Sequence, residues 1–223
     1  MCRILPMYHI YLNHDTLIGC DASVLLDSTT QNTAKKDALP NQTLQKKVFN
    51  MVDDIKAEVE KKCLEIVSCA DIMALAARDS VSFQYKRSLW EVPLGRRDGT
   101  ISHASEAIAN IPPPTSNFDQ LKQNFAGKGL DVLNLVVLSV PMDPTSSEFF
   151  YTRYYKILLE NEGLFQSDAA LLTDDGSLEE VKKLLSFEYF LEKFAHSMKN
   201  MGEIQVLAGT KGQILKKKRR VVN

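Results

Sequence analysis

The chain has 223 residues, 44% hydrophobic and 25% charged, and its 27 Lys and Arg nearly balance 28 Asp and Glu for a formal charge of −1. That composition excludes the disordered, collagenous and low-complexity classes, and the length supports one domain, or two small ones, with a real core. Near-neutrality argues against nucleic-acid or membrane steering by the whole molecule, and no apolar run reaches the ~18 residues of a transmembrane helix.

From Met1 the chain shows no export signal, because Pro6, Tyr8, His9, Asn13 and His14 interrupt any apolar stretch. Leu44, Val48, Met51, Val52, Ile55 and Val59 recur at helical spacing and predict an amphipathic helix to about Lys62. Cys69 to Val81 predicts a second helix, apolar nearly all round and therefore buried. Arg87 to Asp98 is short and irregular, broken by Pro93 and Gly95, and Ile111-Pro112-Pro113-Pro114 is extended. Ser116 or Asn117 then caps a helix through Leu121 and Phe125, closed by Gly127 and Gly129.

Asp131 to Ser139 is a buried helix or strand, which periodicity does not separate at this length. Ser147 to Glu160 places Phe150, Tyr154, Ile157 and Leu158 on one face; Ser177 caps Leu178 to Leu185. Phe187, Phe190, Leu191, Phe194, Ala195, Met198 and Met201 keep a strict helical stripe. Ile204 to Leu207 alternates and pairs with Gly212 to Leu215 as a small hairpin. The expected fold is all-α, with about eight helices and at most that hairpin.

Cys2, Cys20, Cys63 and Cys69 allow three pairings or four free thiols, and the absence of a CxxC pair disfavours a zinc knuckle. Lys216 to Arg220 is a basic run that suits nuclear import or a nucleic-acid patch, or else is a solvated tail.

The run Gly19-Cys20-Asp21-Ala22-Ser23-Val24-Leu25-Leu26-Asp27 resembles the distal calcium loop of plant secretory (class III) haem peroxidases. It is followed in the family's order by Val67 to Ile72, Ala74 to Val81, Trp90 to Asp98, Ile111 to Thr115, Lys128 to Leu130 and Gly163 to Asp168; Gly212 to Ile214 and Val221 to Asn223 are also similar. The resemblance implies a haem-peroxidase-like helical fold holding haem b, two calcium ions, four disulfides and hydrogen-peroxide-dependent oxidation of phenolic donors. It also implies a secreted, extracellular or vacuolar setting and a response to oxidative stress. On this reading residues 1–223 form one incomplete domain, with 1–139 the distal half and 143–223 a remnant of the proximal half.

By resemblance, His14 with Asp15 matches the distal His-Asp if one residue is deleted before Gly19, and the slot of the distal Arg then holds Ile10. Without the gap the His slot holds Asn13 and the Arg slot His9. In the family that His moves a proton between peroxide oxygens and the Arg stabilises the developing charge. Asn41 matches the Asn that orients the distal His; read alone, it is a turn residue or the start of the sequon Asn41-Gln42-Thr43. Asp15, Ile18, Gly19, Asp21 and Ser23 resemble the distal calcium ligands. Lys35 stands where the family has a Glu that supports the ion through water, and a Lys near a cation repels it.

The proximal block begins at Asn134 to Ser139 and then breaks, since Val140-Pro141-Met142 leads straight into Asp143-Pro144-Thr145, and the iron-ligating His is absent. Asp168 matches the carboxylate that hydrogen-bonds that His and is left an orphan. Asp143 and Ser146 match two proximal calcium ligands, with Tyr151 replacing the third. The family partner positions of Cys20, Cys63 and Cys69 are occupied by Thr16, missing before Met1, and replaced within Lys216 to Arg220; the fourth pair is absent. The basic run then reads as the family's C-terminus with its Cys lost. Asp71 and Arg96 match a buried salt bridge, or are two surface charges; Trp90 is core. Pro112 matches the proline of the substrate channel, or only shapes the backbone. Three readings follow: a working haem peroxidase, a haem-free pseudo-peroxidase serving as a calcium or interaction module, or an incomplete gene product.

Overall fold

The computed structural model describes residues 20–41, 46–139, 152–163 and 165–215. Among these, nine α-helices account for the regular structure: α1 Lys46–Glu60, α2 Cys69–Ser82, α3 Ala104–Asn110, α4 Phe118–Ala126, α5 Val132–Leu138, α6 Arg153–Leu159, α7 Gln166–Ala170, α8 Asp175–Lys183 and α9 Phe187–Met201. The fold is all-α, as the spacing predicts. No helix among the described residues is long and apolar enough to cross a membrane. The chain divides into two compact units, Met1–Ile111 with Gly202–Asn223, and Pro112–Met201. The first boundary falls in the Ile111–Pro114 run, which starts extended at Ile111 and enters a turn at Pro114.

In the first unit α1 packs on α2. Ser68 caps α2, its hydroxyl accepting the Asp71 N–H at 3.0 Å, and Ile72, Met73, Ala74, Ala77 and Val81 are all buried. The expected Asp71–Arg96 bridge is present and buried, with Arg96 Nη1 3.4 Å from Asp71 Oδ1. The same carboxylate accepts the Gly95 N–H at 2.7 Å, and Arg96 Nη2 donates to the Gly202 carbonyl at 2.9 Å. Trp90 is buried, as expected.

The C-terminal hairpin is not formed. Ala208 pairs with Arg96 and Gln213 with Asp98 as isolated antiparallel bridges, so Arg96-Arg97-Asp98 lies between the two arms. The Arg97 N–H donates to the Leu207 carbonyl, and the Asp98 and Gln213 N–H groups donate to each other's carbonyls, each at 2.8 Å. The arms alternate as a hairpin would, but a distant segment outcompetes the local partner. Its buried Asp98 side chain also takes the Leu215 N–H at 2.9 Å. Cys20 and Cys69 are buried and Cys63 is exposed, and all three are thiols.

In the second unit α5 packs against α9, α8 and α4, and α4 also meets α7. The ambiguous Asp131–Ser139 run is a helix because Asp131 and Asn134 form a reciprocal capping box. Its core is an aromatic chain: Tyr155 lies edge-on to Tyr154 at 5.3 Å and to Phe190 at 5.8 Å, and Phe190 reaches Phe194 at 5.7 Å. Asn117, rather than Ser116, caps α4. Ser177 does not cap α8: Asp174 does, accepting the Ser177 N–H at 2.9 Å. A carboxylate three residues earlier is the better acceptor for the positive helix start.

Candidate functional site

Of the residues matched to the family's machinery, His14, Asp15, Ile18, Gly19, Asp143 and Ser146 lie outside the described residues. Asp21, Ser23, Asn41, Pro112 and Asp168 are described.

Asp21, Ser23 and Asn41 belong to the first unit and share one network. Ala22, in the left-handed region at φ 55°, turns the chain between Asp21 and the 3-10 turn Ser23–Leu25. Ser23 is buried; its N–H and its hydroxyl donate to Asp21 Oδ1 at 3.0 and 2.5 Å. The Asp21 carboxylate lies over buried Gly99, where an added Cβ would stand 2.2 Å from Asp21 Oδ2, so a side chain there would displace the carboxylate.

Lys35 opens the 3-10 turn Lys35–Asp37 and is 3% exposed. Its Nζ donates to Ser23 Oγ at 2.7 Å and pairs with Glu106 Oε2 at 2.9 Å. Glu106 arrives on α3, which is drawn onto this loop by small side chains: Ala38 and Ala107 are buried together, with Ala104 and Ile111 against them. The Ala104 N–H donates to the Thr33 carbonyl at 2.8 Å and fixes the start of α3. The backbone of Lys35 reaches the other family position. Asn41 Nδ2 donates to the Lys35 carbonyl at 2.6 Å, which fixes the amide's orientation. Asn41 Oδ1, buried in a residue 1% exposed, has no hydrogen-bond partner among the described residues. An unsatisfied buried acceptor costs free energy and is suited to a donor such as an imidazole N–H.

Among the described residues this donor set does not fit a calcium ion. Ser23 Oγ, a matched ligand, already gives its proton to Asp21 and accepts from an ammonium. Among the described residues no group of three His, Cys, Asp or Glu side chains is placed to hold a metal ion.

Asp168 lies in the second unit on α7 and is not an orphan. Its Oδ1 accepts the Tyr154 hydroxyl at 2.9 Å and its Oδ2 accepts the Phe165 N–H at 3.0 Å. Burial, followed by the neighbouring Asp168 charge and hydrogen bond, holds the Tyr154 phenol well above its ordinary pKa. The carboxylate therefore anchors a neutral phenol and the start of α7. No signal marked Tyr154 as its partner, since Tyr154 reads as one more residue of an apolar stripe. Pro112 is half-buried at the start of this unit.

The described histidines do not replace the missing iron ligand. His103 Nδ1 lies 2.6 Å from Asn32 Oδ1, His196 Nε2 lies 3.3 Å from Asn200 Nδ2, and both are exposed. The described residues thus do not fit haem on its proximal side.

A protein-family model described as Peroxidase matches residues 8–140. It stops inside the Ser139–Asp143 run, where the resemblance breaks. Peroxidase 3 of Arabidopsis thaliana is 40% identical over 256 aligned positions, covering 90% of this chain and 77% of that protein. Peroxidase 1 of Oryza sativa subsp. japonica is 40% identical over 269 positions, covering 95% of this chain and 81% of that protein. Peroxidase 30 of Arabidopsis thaliana is 39% identical over 263 positions, with 94% and 79% covered. The rice alignment is longer than the 223 residues of this chain, so part of the relative within the matched span has no counterpart here. Motifs in order, an all-helical fold and this identity together place the chain in the peroxidase family, among the plant class III oxidoreductases.

Proposed function

We propose that this chain is a haem-free member of a family whose chemistry is the hydrogen-peroxide-dependent oxidation of phenolic donors, and that it keeps the distal scaffold of that chemistry without the anchor for iron. The observation that carries this reading is the engagement of Asp168. The carboxylate matched to the proximal His already spends one oxygen on Tyr154 and the other on Phe165. With no described His beside it, and with the Arg slot held by Ile10 or, without the gap, by His9, neither the iron ligand nor the Arg of the family is supplied. Secretion, haem b, two calcium ions and a role in oxidative stress are the family's properties and come to this chain only by resemblance.

A second reading, residual peroxide turnover, is favoured by Asn41. Its buried Oδ1, without a partner among the described residues, is the group that would orient His14 as an acid–base catalyst. Haemin titration of the purified chain separates the two readings. The haem-free reading expects a non-saturating absorbance like that of free haemin and no oxidation of a phenolic donor when peroxide is added. A saturable, sharpened Soret band that shifts with peroxide overturns it and sends His14 and His196 to substitution.

A further inference from the structure

We propose that the Lys35 ammonium is a built-in cation that takes over the role of the distal calcium ion, so that the Asp21–Ser23 loop keeps its shape without added metal. The inference does not depend on whether the chain binds haem or turns over peroxide.

The argument starts from charge. A loop that gathers carboxylate and hydroxyl oxygens needs a positive centre, and a calcium ion supplies one by accepting lone pairs from several such oxygens. Here the positive centre is covalent. Lys35 Nζ donates to Ser23 Oγ at 2.7 Å, and the Ser23 hydroxyl donates in turn to Asp21 Oδ1 at 2.5 Å. Lys35 is buried, and a buried ammonium is tolerated only when paired. Glu106 Oε2 provides the pair at 2.9 Å from the half-buried α3.

The chain Asp21–Ser23–Lys35–Glu106 therefore runs anion, hydroxyl, cation, anion, with each hydrogen bond charge-assisted. A divalent ion on the remaining lone pair of Ser23 Oγ would stand beside the ammonium, and the two positive charges would repel. The exchange has a structural consequence as well. Lys35 is hydrogen-bonded through its carbonyl to Asn41 Nδ2 at 2.6 Å, so one residue ties the loop to the family's orienting Asn, a link that a diffusible ion would make only indirectly.

The test is thermal unfolding of the full chain by circular dichroism in EDTA and in excess calcium chloride, for the wild type, Asp21→Asn, Lys35→Arg and Lys35→Met. The expected results are a wild-type Tm that differs by less than about 1 °C between the two solutions, a Lys35→Arg Tm close to it, and a Lys35→Met Tm lower by about 5 °C or more. A calcium-dependent rise in wild type that Asp21→Asn abolishes overturns the proposal. So does a Lys35→Met Tm equal to that of wild type. If Lys35→Met does not fold, Glu106→Gln replaces it, with a lowered Tm and no calcium response expected; an unchanged Tm there also overturns the proposal.

Discussion

Asp98 carries a carboxylate with no exposed surface, and it is held there by backbone. Its Oδ1 accepts the Ala70 N–H at the start of α2, and its Oδ2 accepts the Leu215 N–H, each at 2.9 Å. Burial pushes the carboxyl above its ordinary value, and the N–H groups pull it partly back. The neighbouring Cys69 thiol is pushed from 9.0 up to about 12, first by burial and then by the Asp98 charge. Folded Cys69 thus keeps its proton in a range where the unfolded chain loses it, so stability falls as pH rises from 9.0 toward about 12. Urea unfolding at about pH 8 and about pH 10 should show about 1 kcal/mol of lost stability owed to this thiol. Cys69→Ala should remove that share, and an undiminished pH dependence in the variant would show the thiol is not its source. At this scale the Asp71–Arg96 pair was legible only through the family resemblance, since the two stand 25 residues apart, whereas Trp90 read as core from the sequence. It did not mark the partners of Asp168 or Lys35: those hydrogen bonds depend on which helix face meets which loop, which no local pattern encodes.

Helices α4 and α5 begin on the same chemistry and rest on it unequally. Asn117 Oδ1 accepts the Gln120 N–H and Gln120 Oε1 the Asn117 N–H, each at 2.9 Å, at an exposed helix start. Asn134 closes the α5 box with Asp131, but it is buried and also donates to Ser197 Oγ on α9 at 2.9 Å. Asn117→Ala should cost about 1 kcal/mol, the ordinary loss of a cap. Asn134→Ala should cost about 2–3 kcal/mol, because the buried Ser197 hydroxyl loses its partner as well. Urea unfolding of both variants checks the ranking, and equal costs would mean that the α5–α9 bond contributes nothing. Helices α1 and α9 were legible from their apolar stripes, and α2 from being apolar nearly all round. Helix α3 was not, because Ala107 is its one buried residue and no stripe exists to be read. The C-terminal hairpin was legible as two alternating arms but misassigned, since alternation identifies a pairing surface and not its partner.

For the whole molecule, the sequence pI of about 6.4 and a formal charge of −1 leave little self-repulsion at neutral pH. Leu39, Leu64, Ile66, Phe83 and Leu94 in the first unit are large apolar side chains, each more than half exposed. Light scattering across pH should show net attraction between molecules strongest near pH 6.4 and weakening on either side. A flat profile would show that net charge does not govern the attraction. Family and fold class were legible here from ordered motifs. The Ser139–Asp143 junction was legible too, as a break in them.

The division of the first unit has a temporal side. Arg96-Arg97-Asp98 receives hydrogen-bond partners from residues 207, 213 and 215, which lie beyond the whole of Pro112–Met201. During synthesis at about 5–20 residues per second, the chain that holds Asp98 waits on the order of ten seconds before the Leu215 N–H exists to meet it. The second unit is continuous in the chain, so its last residue, Met201, is made before Leu215. The part of the molecule made first is therefore finished last, and a nascent chain spends that wait with the Asp98 carboxylate still without its Leu215 contact.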